Sequence, residues 1–267
     1  MVRLSNGDLR VDGPFKVRSR LEIDRSRGIR FTEATGDPNP IHREGDVIPG
    51  ALIAAEFVSA AEILFPHLQL TSLRTTFTAV SWYDRPVRLL LDCKPTEIDG
   101  EPGLEVKASA FQGDRECANG LVKGRFVEEL QRHELPPHKI NVDWLARVVS
   151  FYDSLGIKPQ AYLEKAEGPD YSYPTAFLAS LPSGSMVQRF QGEGGILNRL
   201  NLEFTGKLPL AGPPEVSLEL PARLRKSFNK IMTFVKEGVE TAVRGSALVL
   251  PRPPEDLLEQ ARRDRHI

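Results

Sequence analysis

The chain has 267 residues, 40% of them apolar, enough for one large domain or two small ones around a real core. Charged residues make up 27% and nearly cancel to a net charge of −1, which excludes the broad basic field of a nucleic-acid or anionic-membrane binder. Two cysteines, Cys93 and Cys117, are too few for a disulfide framework and lack metal-ligand spacing, so no metal or redox cofactor is expected.

The residues after Met1 form no apolar signal-peptide region, and a cytoplasmic protein with reduced thiols is the expectation. Residues 15–23 alternate like a strand, and Asp24 is placed to cap a short helix over about 25–35. Pro49 suits the first turn of a long helix reaching about Phe65. That helix is apolar nearly all round, but Glu56, Ser59 and Glu62 make it too polar for a membrane span. Glu56 there implies a buried partner or a subunit contact in a homodimer. Strands follow over 71–82, 86–97, 104–112 and 116–128. A polar stretch with a Pro-Pro pair, 131–141, reads as a linker between a first unit, 1–130, and a second, 142–253, with a charged amphipathic tail over 254–267 that includes Leu257 and Leu258.

The two halves look alike. Pro49 matches Pro174 at an offset of 125 residues, and Leu73–Val87 can be laid on Leu197–Val216. Each half is expected to run strand, short helix, long helix, then several strands. The fold class is α+β. A long helix wrapped by an antiparallel sheet is a hotdog, and two would make a double hotdog; the pattern alone equally allows a generic α+β pair of domains.

Chemistry concentrates in Gly36-Asp37-Pro38-Asn39-Pro40-Ile41-His42, between the short and the long helix. Asp37 and His42 stand five positions apart on a loop stiffened by two prolines. A carboxylate and an imidazole sharing one water can accept a proton and supply one. Singly, an Asp-Pro or Asn-Pro is an ordinary turn, and a His before a helix an ordinary surface group. The run resembles the Gly-Asp-x-Asn-Pro-x-His signature of the MaoC-like (R)-specific enoyl-CoA hydratases and acyl dehydratases, strongly over 31–57 and loosely to 128. The resemblance implies a hotdog fold and a hydro-lyase that interconverts 2-enoyl and (R)-3-hydroxyacyl thioesters carried on coenzyme A or an acyl carrier protein. It implies Asp37 and His42 as the catalytic pair and the N–H of Gly50 as donor to the thioester oxygen. The start of the long helix suits the last role, since its first N–H groups lack intrahelical partners. Asn39 is assigned to loop support at the substrate site, and Phe57 and Phe177 to the acyl pocket.

Two departures from the family pattern stand out. Only seven residues separate His42 from Gly50, so a substrate-gating loop is shortened. The second half, near Tyr152–Lys158, has no following His, and Pro182-Ser183-Gly184 interrupts its long helix, either opening an acyl tunnel or marking drift. Arg223, Arg225, Lys226, Lys230 and Lys236 suit carrier phosphates or form an ordinary solvated patch. The rival functions are a hotdog thioesterase and an inactive acyl-thioester-binding protein.

Overall fold

The computed structural model describes residues 13–128, 133–158, 164–165, 168–189, 195–221 and 227–251, with 255, 256, 259, 262 and 263 of the tail. Five helices are described: α1 Arg25–Thr35, α2 Pro40–Arg43, α3 Gly50–Leu64, α4 Val142–Leu155 and α5 Thr175–Arg189. The strands of the first half are β1 Phe15–Leu21, β2 Leu68–Phe77, β3 Val87–Ile98, β4 Glu101–Gln112 and β5 Arg115–Phe126. Those of the second are β8 Gly195–Phe204, β9 Glu215–Glu219, β10 Asn229–Glu237 and β11 Glu240–Pro251, preceded by a two-residue pairing of β6 (Glu164–Lys165) with β7 (Gly168–Pro169). Nine strands form one antiparallel sheet in the order β1-β3-β4-β5-β2-β8-β11-β10-β9. Outward from the central pair β2–β8, the order runs first, fourth, third, second strand in each half. The first half adds β1 at its edge, and the described residues of the second half include no counterpart.

Local signals set the first half's boundaries. The Asp24 carboxylate accepts the Arg27 N–H, and Gly36, in the left-handed region at φ 72°, ends α1. α3 starts after Pro49 and stops at Phe65. It packs on β2, β4 and β5, α5 packs on β8 to β11, and the two helices pack on each other. β2 ends at Phe77 rather than Trp82, because Thr78 and Ala79 both turn their N–H groups to the Cys117 carbonyl and leave the ladder.

The second half departs from expectation twice. Residues 142–155 are one helix, with no opening strand: Asn141 caps it by accepting the Trp144 N–H, and Gly156, at φ 69°, ends it. The predicted break at Pro182 is absent, and α5 is continuous from Thr175 to Arg189. One proline removes a single N–H, and its fixed φ is itself helical. Packing on Ala176–Pro182, Gly184, Met186 and Val187, all buried, holds the rest.

α1 and α4 cap each other. Arg27 Nε donates to the Ser154 carbonyl at 2.8 Å, and Arg147 Nε donates to the Ala34 carbonyl at 2.9 Å. Each guanidinium thus satisfies an orphan carbonyl in the last turn of the opposite helix, where the dipole is negative. Arg147 also lies over the Trp144 ring at 4.1 Å. Arg27 reaches further, donating to the Glu22 carbonyl at 2.6 Å and pairing with Glu56 at 3.3 Å. Glu56 therefore has a partly buried partner within the chain. Burial pushes its carboxyl up to about 8 against the opposing pull of Arg27.

Of the predicted peripheral features, residues 131 and 132 of the linker, Arg223, Arg225, Lys226, Leu257 and Leu258 lie outside the described residues. Among the described residues no helix is long and apolar enough to cross a membrane.

The Glu56 shift carries a sign. The folded state holds this proton more tightly than the unfolded chain, so the contribution is full below about 4.5 and is lost as pH rises through about 8. Glu56→Gln should flatten the fall of Tm across that window, measured by thermal unfolding at a series of pH values. Arg27→Met should cost about 1.5–3 kcal/mol in urea unfolding, the range for hydrogen bonds to a charged group.

Candidate active site

Gly36 turns the chain out of α1, and the Asp37 N–H donates back to Thr32 at 2.8 Å. Asp37 is 1% exposed, and both its oxygens accept hydrogen bonds: Oδ1 from the Asn39 N–H at 3.0 Å, Oδ2 from the Ser183 hydroxyl at 3.1 Å. Asn39, also buried, caps α2 by accepting the Ile41 N–H at 3.3 Å. That short helix carries His42 into the interior, where its Nδ1 lies 2.9 Å from the Val47 carbonyl. A carbonyl only accepts, so Nδ1 holds the proton and Nε2 keeps a bare lone pair. Burial pushes the imidazole below its ordinary value, against the opposing effects of the Asp37 charge and the Val47 carbonyl.

A cavity of about 290 Å³ lies between the halves. The ladder between β2 and β8 ends at Thr76 and Arg199, and the residues just beyond, Phe77–Ser81 and Ile196–Asn198, line the opening. His42, Asn39, Gly50 and Ser183 all line it. Asp37 does not; Ser183, which donates to it, does. Gly50 opens α3 behind Pro49, which supplies no side-chain cap, so the positive end of the helix faces the cavity with N–H groups that have no intrahelical partner. The Phe77 ring covers this turn, 3.2 Å from where a Cβ on Gly50 would sit.

Phe57 and Phe177 do not line the cavity, contrary to the sequence-based expectation. Both are 0% exposed. Phe57 packs under β5 at Gly120, and Phe177 stacks on Tyr173 and meets Phe151 edge-on at 5.2 Å. The second half's wall is instead made by Ser183, Val187, Ile196, Leu197, Phe228 and Leu250. The helix break that could have opened a tunnel at Pro182–Gly184 does not occur, and backbone packs against Gly184: a Cβ there would lie 2.6 Å from the Gly36 oxygen and 2.9 Å from the Asp37 nitrogen. This tripeptide is the seat of the Asp37 loop. Gln188, one turn on, donates to the Gly36 carbonyl at 3.2 Å. Sequence reasoning missed Ser183 and Gln188 because their partners lie 146 and 152 residues away.

Of the predicted basic cluster, Lys230 is exposed and Lys236 pairs with Glu215 at 3.7 Å. Phe228 and Arg115, both exposed, stand on the cavity lining.

No protein-family model matches this sequence, and no curated protein matches it. Solved structures do. HtdX of Mycobacterium tuberculosis superposes with a TM-score of 0.60 at 13% identity, covering 90% of this chain and all (100%) of that one. A MaoC-like dehydratase from Phytophthora capsici gives 0.60 at 10% identity, over 91% of this chain and 96% of its own. A putative thioesterase from Novosphingobium aromaticivorans gives 0.51 at 11%, over 91% and 97%. The chain has the hotdog fold of the MaoC-like dehydratases, with thioesterases among the proteins that share it.

Gly184→Ala should destabilise the chain by about 1–3 kcal/mol in urea unfolding, the cost of forcing a methyl group into a filled contact. Ser185→Ala on the same helix, which carries no described contact to the loop, is the control.

Proposed function

We propose that the chain is a hydro-lyase that interconverts 2-enoyl and (R)-3-hydroxyacyl thioesters carried on coenzyme A or an acyl carrier protein. The observation that carries this is the tautomer of His42. With Nδ1–H committed to Val47, a neutral imidazole keeps the Nε2 lone pair for a proton, and His42 lines the same cavity as the positive end of α3.

In the hydration direction, Nε2 takes a proton from water as the water oxygen bonds to Cβ. The electron pair of the double bond moves toward the thioester carbonyl, whose growing negative charge is met by the N–H of Gly50. The Asp37 carboxylate stabilises the imidazolium. The imidazolium then returns the proton to Cα, and water has been added with no atom left over. Asn39 holds the loop in place through its cap on α2.

The reading includes architecture. Residues 1–130 and 142–253 are taken as two hotdog units joined by 131–141, with the tail 254–267 outside both. The order of strands outward from β2–β8 and the exchanged arginine caps support it. Only the first unit carries the motif: Asp37 follows Gly36 at the end of α1, whereas Ile157 follows Gly156 at the end of α4. One active site per chain follows.

Incubation with crotonyl-CoA, following the enoyl ultraviolet band and free thiol separately, tests the reading. Loss of the band without thiol is the expected result. Thiol release would make the protein a thioesterase, and neither change would make it a binding protein. Asp37→Asn and His42→Ala should each lower turnover by at least ~10²-fold with the fold intact, as positioned acid–base groups contribute about that much. Because burial lowers the His42 pKa, the acid limb of kcat/KM should lie below the ordinary histidine value of 6.5. Activity falls only as the ring becomes protonated, so a limb above 6.5 would count against His42 as the base.

A further inference from the structure

The loop that carries His42 is held from outside the motif. Val47, whose carbonyl binds His42, forms an isolated antiparallel bridge to Trp82. On either side of it, the Ile48 N–H donates to Ser81 at 2.8 Å and the Tyr83 N–H donates to Asp46 at 3.1 Å. The segment 81–85 is in turn gripped by one buried amide. Gln112 Oε1 accepts the Trp82 N–H at 2.8 Å, and its Nε2 donates to the carbonyls of Trp82 at 2.7 Å and Arg85 at 2.8 Å. Both amide hydrogens and the amide oxygen are therefore engaged in fixing one short stretch of backbone.

Tyr83 holds the other end of the loop. Its hydroxyl donates to the backbone carbonyl of His42 at 3.1 Å. Its ring occupies a slot on α1 that only a glycine leaves: a Cβ on Gly28 would lie 2.0 Å from the hydroxyl oxygen and 2.4 Å from two ring carbons. Burial pushes the phenol up, so it remains a donor at any working pH. Neither Tyr83 nor Gln112 lines the cavity.

We infer that Gln112 and Tyr83 are positioning residues for His42, fixing its tautomer and its main chain without touching substrate. Gln112 fixes Trp82, Trp82 fixes Val47, and the Val47 carbonyl keeps the proton on Nδ1, which leaves Nε2 bare. Tyr83 sets the height of the His42 backbone against α1. The catalytic value of this inference rests on the proposed role of His42, but the tautomer is measurable without any reaction.

The experiment uses the full chain labelled with nitrogen-15 in its histidines, with the His42 ring signals assigned by their loss in His42→Gln. The parent should show the neutral Nδ1–H tautomer. Gln112→Met, close in size but without hydrogen-bonding groups, should give a mixture of tautomers. It should also lower kcat by about tenfold or more with KM little changed, since misplacement of a catalytic group acts on the chemical step. Tyr83→Phe, which removes one oxygen, should broaden the His42 ring signals and lower kcat similarly, and Gly28→Ala, which displaces the ring, should do the same from a different element. A folded Gln112→Met with the parental tautomer and parental kcat would overturn the inference. If that variant does not fold, parental ring signals and kcat in Tyr83→Phe and Gly28→Ala overturn it instead. If the parent hydrates no enoyl thioester, the proposed function falls, and the ring spectra of the variants still decide for or against the latch.

Discussion

The exchange of arginines between α1 and α4 is the constraint from which the candidate site hangs. A helix C-terminus buried in an interface leaves carbonyls that must be satisfied, and here each helix is satisfied by the other's guanidinium. The contact is therefore directional as well as apolar. It fixes where α1 ends, and α1 ends at Gly36, one residue before Asp37. A helix sliding by one turn against its partner would break both caps at once. The aromatic ring pairs Phe31–Phe151 and Phe151–Phe177, at 5.7 and 5.2 Å, fill the space behind that joint and carry it on to α5.

From this fixed point the loop is built by both halves. Gly36 is met by Arg147, Gly184 and Gln188, and Asp37 by Ser183, all from beyond residue 141. The carboxylate needs these partners because it is nearly water-free, and an unsatisfied buried acceptor costs about 1–3 kcal/mol. At His42 two effects oppose: burial pushes the imidazole below its ordinary value, and the Asp37 charge pulls the other way. The positive end of α3 completes the arrangement across the cavity. Asp37 and His42 belong to the first half, but the surroundings of the Asp37 loop are built by the second.

What was legible in the sequence was local. Asp24 before α1, Gly36 after it, and Pro49 before α3 are caps whose meaning depends on neighbours within four residues, and those boundaries fell where expected. The four strands after α3 were legible by alternation, with errors only where a strand end is decided by a turn. In the second half the expected repeat overrode local signals that were present. Trp144, Val148, Phe151 and Leu155 stand at helical spacing behind an Asn cap, and they form α4 with no strand ahead of it among the described residues. Phe57 and Phe177 were misplaced for a different reason: on a helix apolar all round, sequence does not tell the face toward a cavity from the face toward the core. Ser183, Tyr83 and Gln112 carry no local mark at all. Their roles exist only through partners that the fold brings to them.

The pairing of Asp37 with Ser183 has no polar counterpart at the matching positions of the second half. Ser183 stands nine residues after Pro174, and nine residues after the matching Pro49 stands Val58. Asp37 follows the Gly36 cap, and Ile157 follows the Gly156 cap. A polar pair on one side of the molecule thus corresponds by position to an apolar pair on the other. Changing one member alone would leave a buried carboxylate short of a donor, or a hydroxyl facing hydrocarbon, whereas replacing both partners by apolar groups is close to neutral. Arg27 and Arg147 thus make the joint alike on both sides, while Asp37 lies on one side of it only.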